Sequence, residues 1–143
     1  MAFDETFDVV VVGSGAAGLS AALTASIHGL SVLVIEKAAT LGGSTAISGG
    51  AVWIPGNPHL AAVGLTESRE AVITYLRAIL GNRLKLPLIE TFLDHGPEMI
   101  SFLEKHTALR LAPRAVSPDY QPDLPGAAAG GRTLDPVVYD GKA

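Results

Sequence analysis

The sequence predicts an α/β fold that opens with a parallel βαβ unit and continues in helices and loops. Three observations predict it. A run of valines lies near the start, an alanine-rich stretch ending in glycine follows, and a second apolar run begins directly after that glycine. Apolar runs without polar alternation suit strands covered on both faces, as in a parallel sheet. Strand, helix and strand within about thirty residues form a right-handed βαβ unit.

Each element follows in order. "FDVVVVG", residues 7–13, is strongly β-prone. "SGAAGLSAALTASIHG", residues 14–29, reads as a helix that Gly29 stops. "LSVLVIEK", residues 30–37, reads as the second buried strand. Next comes "LGGSTAISGGAVWIPGN", residues 41–57, a glycine-rich loop with Ser44, Thr45 and Ser48 among the glycines and Trp53 after them. Thr66 is the expected N-cap of the following helix, with Glu67 and Glu70 in its first turn. Val72, Ile73, Leu76, Ile79 and Leu80 then recur at helical spacing, and Gly81-Asn82 ends the run. Two shorter helices are expected over Leu88 to Asp94 and Pro97 to His106, with Pro97 in a first turn. "ALRLAPRAV" contains a short strand. The proline- and glycine-rich stretch from Ser117 onward reads as loop.

Bulk composition narrows the function classes. A chain of 143 residues suits one domain, and 48% hydrophobic residues can build a core. The net charge is -4 and no basic block stands out, so nucleic acid is not an expected partner. His28, His59, His95 and His106 lack metal-ligand spacing, and no metal site is expected. Without cysteine there is no disulfide or thiol chemistry. The acidic start "MAFDETFD" lacks the basic region of a signal peptide, and no apolar run approaches the roughly twenty residues of a membrane helix. The expected location is the cytoplasm.

Gly13-Ser14-Gly15-Ala16-Ala17-Gly18 is a G-x-G-x-x-G string placed after a strand and opening a helix. This is a Rossmann-like dinucleotide signature. Gly13 permits the tight turn, Gly15 lets backbone approach a pyrophosphate, and Gly18 lets helix and sheet pack closely. The exposed N–H groups and helix dipole favour phosphate there. Ala16, Ala17, Ala21 and Ala22 keep the helix slim. Glu36, twenty-three positions after Gly13, can accept two hydrogen bonds from an adenosine ribose and would repel a 2′-phosphate. FAD and NAD share this start, so the signature alone leaves the choice open.

Three longer stretches carry a resemblance. "DVVVVGSGAAGLSAAL", "VIEKAATLGGSTAISGGAVWIPGN" and "PDYQPDLPG" with the downstream "GR" resemble the FAD-dependent fumarate reductase and succinate dehydrogenase flavoprotein superfamily. Within it they are most similar to the 3-ketosteroid Δ1-dehydrogenase group. The resemblance implies that the chain is the N-terminal part of an FAD-binding domain. Its βαβ unit would cover 6–37, the flavin loop 41–57, the helical region 66–106 and a closing loop 117–143. It implies that Ser14, Ala16 and Ala17 line the pyrophosphate site, while Glu36 and Lys37 hold the adenosine half. Gly42, Gly43, Ser44 and Thr45 would pass the diphosphate and ribityl chain, and Ser48, Gly49, Gly50 and Ala51 would lie near the flavin ring. Glycines let backbone amides reach polar flavin atoms, and hydroxyls can bond ribityl oxygens. Covalent members carry a histidine beside the glycine pair. Ser44 and Thr45 stand nearby here, so non-covalent FAD is expected.

The implied reaction is 1,2-desaturation of a 3-oxosteroid, with proton loss beside the carbonyl and hydride transfer to flavin. Tyr120 would support the catalytic tyrosine through a hydrogen bond; its structural alternative is an aromatic that pins a proline-rich loop. Family members are several times longer, so the chain is expected to be incomplete and to need a complementary chain. Two other readings stay open. One is a fumarate-reductase-like enzyme, for which Arg110, Arg114 and Arg132 could bind a carboxylate, although surface roles are expected for them. The other is a non-catalytic subunit that binds FAD or its ADP half.

Overall fold

Asp8 and Ser31 set the register of the first sheet. Asp8 Oδ2 accepts from the Ser31 amide at 2.8 Å and from its hydroxyl at 2.6 Å. In the computed structural model, which describes residues 5–140, strand β1 (Val9–Val12) then pairs in parallel with β2 (Val32–Ile35). Helix α1 (Ala16–Ile27) crosses between them and packs on both. Gly29, at φ +84°, closes the helix as expected. Its amide donates to Ser26 O and the Leu30 amide to Ala25 O, so two end carbonyls are satisfied. A one-turn helix α2 (Gly43–Ala46) completes this unit, which divides from the rest of the chain after Gly50.

Cover on both faces of the strands is corrected. Val12 is 80% exposed and Val10 53% exposed. The pleat sends alternate side chains to opposite faces, and α1 covers one of them. The chain forms two compact units, and the boundary falls inside the expected loop 41–57.

The second unit is built on an antiparallel sheet of order β3-β5-β4, from β3 (Val52–Trp53), β4 (Leu111–Pro113) and β5 (Thr133–Pro136). Leu134 pairs with Val52 on one side and Pro113 on the other. Ile54, Ile100, Leu111 and Leu134 form the core against this sheet. Strand β4 agrees with the strand expected in this stretch, whereas β3 and β5 lie where the sequence predicts loop. Neither shows a local apolar period, and each exists through partners far along the chain.

Helix α3 (Arg69–Leu80) starts two residues later than Thr66 implied. Ser68 is the N-cap, its hydroxyl accepting from the Ala71 amide at 3.3 Å. The expected break at Pro97 does not occur either. Helix α4 runs unbroken over Leu86–His106 with Pro97 inside it. The proline removes one amide donor. The stripe Leu93, Gly96, Ile100 and Leu103 is buried on both sides of it, and that burial holds the helix together. Among the described residues, no helix is long and apolar enough to cross a membrane.

Candidate functional site

The turn after β1 is held by one carboxylate. Gly13 adopts φ +98°, and its amide donates to Ile35 O at 2.8 Å. Ser14 is fully buried beneath it. Glu36 Oε2 accepts from the Ser14 amide at 2.9 Å and hydroxyl at 2.6 Å, and Oε1 accepts from the Ala38 amide at 2.9 Å. Ser14 Oγ in turn accepts from the Gly42 amide at 2.9 Å. The first glycine turn and the second glycine segment are thus joined through Ser14 and Glu36. A Cβ on Gly18 would fall well inside van der Waals contact of the Gly13 carbonyl, so this position has room only for hydrogen.

The amino end of α1 is suited to an anion. No acidic residue lies in its first turn and no side chain caps Gly15. Ala16 N donates to Thr45 Oγ1 at 3.1 Å, which puts a hydroxyl acceptor at the helix dipole's positive end. Ala17, Ser44 and Lys37 are exposed around this turn. Ser48 bonds only to its own segment, accepting from Gly50 N and donating to Thr45 O. Gly49 is exposed, and Ala51 opens the second unit.

Glu36 differs from expectation in one respect. A carboxylate offers about four acceptor sites, and the protein's own groups take three. Two ribose hydrogen bonds would require one of these to release. The hydrogen bonds from Ala38 and then Ser14 hold Glu36 at a pKa of about 2, below its ordinary 4.5. A depressed carboxylate stabilises the fold fully above its unfolded pKa and loses that contribution as pH falls through the folded one. We therefore expect Glu36→Gln to be less stable than wild type by a constant margin above roughly pH 4.5, with the margin closing toward pH 2. Paired denaturation curves across that range check it. A margin that widened in acid would contradict the arrangement.

The second unit carries a groove of about 450 Å³ lined by Ala51, Val52, Trp53, Leu76, Ile79 and Tyr120, among others. Tyr120 is fully exposed, so it does not pin its loop. Asp119 does that instead. It accepts from Trp53 Nε1 at 2.8 Å, Ala128 N at 2.9 Å and Arg132 Nη1 at 2.6 Å. Arg132 also pairs with Glu67 at 2.8 Å and is only 2% exposed. Burial alone would lower its pKa, but Glu67 and Asp119 outweigh that and raise it.

The surface role expected for Arg132 is therefore corrected. Arg114 forms a two-bond pair with Asp135 at 2.6 and 2.7 Å. Arg110 Nη1 donates to the carbonyls of Glu104, Thr107 and Leu109. All three arginines are committed within the unit. The sequence marks Arg132 only as a possible carboxylate ligand and Trp53 only as the aromatic after the glycines, and it does not point to Asp119 or to their joint role. The only sequence signal was an acid beside Tyr120 and an arginine after two glycines.

Residues 8–141 match the FAD binding domain family model. Over 138 residues the chain is 49% identical to 3-oxosteroid 1-dehydrogenase of Mycobacterium tuberculosis, covering 96% of this chain and 24% of that protein. It is 44% identical over 133 residues to 4-oxocyclohexanecarboxylate 2-dehydrogenase of Sinomonas cyclohexanicum, covering 93% and 23%. Among solved structures it resembles 3-ketosteroid Δ1-dehydrogenase from Sterolibacterium denitrificans in complex with 1,4-androstadiene-3,17-dione. The TM-score is 0.87 at 40% identity, over 94% of this chain and 24% of that one. The chain spans about a quarter of the length of these relatives. With a glycine turn, a helix amino end free of acids and a match over nearly its whole length, the chain belongs to the FAD binding domain family.

Proposed function

We propose that this chain is the FAD-holding part of a flavin-dependent 3-oxosteroid 1-dehydrogenase. The observation that carries it is the apolar groove with Tyr120 exposed at its edge, in a chain 49% identical to an enzyme of that name. In this reading the amino end of α1, with Ser14, Ala16 and Ala17, seats the pyrophosphate. Glu36 and Lys37 lie at the adenosine, Gly42 to Thr45 along the diphosphate and ribityl chain, and Ser48 to Ala51 near the ring. FAD supplies the hydride acceptor when bound. The groove excludes water around the apolar substrate, and the Tyr120 phenol offers a hydrogen bond to the base that removes the proton.

The base and the rest of both domains come from a complementary chain in this reading. Exposed Val10, Val12 and Ile35 support that, because apolar surface of this kind is usually covered. A dicarboxylate substrate is disfavoured, because Arg110, Arg114 and Arg132 are already engaged.

The test is co-purification with the complementary chain, followed by dye reduction assays. A 3-oxosteroid should drive reduction, and 4-oxocyclohexanecarboxylate and succinate should not. Acid precipitation should leave the protein colourless, since Ser44 and Thr45 offer no histidine for attachment. Tyr120→Phe should lower kcat by about tenfold or more with flavin retained. A flavin-loaded complex inert toward steroids would overturn the proposal.

A further inference from the structure

We infer that Arg132, Asp119 and Trp53 form a positioning device that fixes Tyr120 at the groove. Asp119 and Tyr120 are neighbours in sequence with opposite fates. The Asp119 side chain is 2% exposed, whereas Tyr120 stands fully in solvent. Both Asp119 carboxylate oxygens are engaged, and its amide donates to Ala128 O at 3.0 Å. On the other side of Tyr120, the Gln121 amide reaches Tyr75 Oη at 3.4 Å. Arg132 Nη2 holds the far end of the loop through Gly126 O at 3.0 Å. Its guanidinium lies 5.8 Å from the Trp53 ring and 5.6 Å from the Tyr75 ring.

Trp53 and Tyr75 also line the groove, so its wall and the anchor of Tyr120 are one assembly. Buried charges are a costly way to hold a loop, and apolar residues of similar volume often serve stability as well or better. What they do not supply is direction. A carboxylate with three donors aimed at it admits one backbone placement, and that placement decides where Tyr120 projects.

The activity arm of the test rests on the steroid-dehydrogenase reading; the spectroscopic arm does not. The chain has three tyrosines, so labelling with 3-fluorotyrosine gives a short spectrum in which Tyr120→Phe assigns the Tyr120 resonance. Asp119→Asn and Trp53→Phe should each shift or split that resonance, while the distant surface variant His95→Gln should not. In the complex with its complementary chain, both variants should lower kcat by about tenfold, as expected for a misplaced group. Trp53→Phe keeps the stacking on Phe92 and decides the matter if Asp119→Asn fails to fold. An unmoved Tyr120 resonance in a folded variant overturns the inference. Absence of steroid turnover in the wild-type complex would instead sink the functional reading and leave the resonance to judge the positioning.

Discussion

Gly18→Ala is expected to abolish flavin retention. The added methyl would meet the carbonyl oxygen of Gly13, a backbone group that cannot rotate aside. The turn must open or α1 must lift from β1. Either movement displaces the amides at the amino end of α1. A loss of at least about a hundredfold in affinity, roughly 2.7 kcal/mol, is expected, on top of about 1–3 kcal/mol of overpacking strain in the first unit. Flavin titration of the apoprotein measures it. Gly29→Ala is the control. It strains a positive φ at the opposite end of the helix. It should cost about 1 kcal/mol of stability and leave affinity near wild type. Wild-type affinity in Gly18→Ala would show that this turn does not hold the cofactor.

Arg132→Met should destabilise the second unit by about 3–5 kcal/mol. The substitution keeps volume but leaves Asp119 and Glu67 as carboxylates without their cation. Asp119 is almost fully enclosed and Glu67 is 13% exposed, so water can do little to compensate. Neutralising both acids in the Arg132→Met background should recover most of the loss, because the penalty comes from uncompensated charge and not from missing bulk. Chemical denaturation of the single and triple variants separates the two causes. A single variant within about 1 kcal/mol of wild type would mean that the cluster is far better solvated than its burial implies.

The legible parts of the fold were the local ones. Strand, turn, helix and Gly29 cap follow each other within a few residues, and each type of residue states its own preference. Ser68 displaced Thr66 because Glu67, expected in the first turn, is drawn to Arg132 instead. Pro97 reads as a stop in isolation, and only the buried stripe around it shows why the helix continues. Strand β5 carries no apolar period of its own, and its partners lie in β3 and β4. The site divided in the same way. The phosphate turn could be read from spacing. Arg132 could not, because a charged residue after two glycines suggests solvent, and its two carboxylates sit 65 and 13 positions away.

The Ser14–Glu36–Gly42 linkage has a consequence for how cofactor is taken up. That end of the site is tied together by bonds among the protein's own groups, so little chain ordering remains to oppose docking there. The segment from Ser48 to Gly50 is held by short-range bonds, from the Ser48 amide and hydroxyl to Thr45 O and from the Gly50 amide to Ser48 Oγ. On the proposed assignment the adenosine end lands on a rigid seat and the isoalloxazine end on a yielding one. Loading should then proceed in two steps, with ADP alone able to occupy the first and block the second.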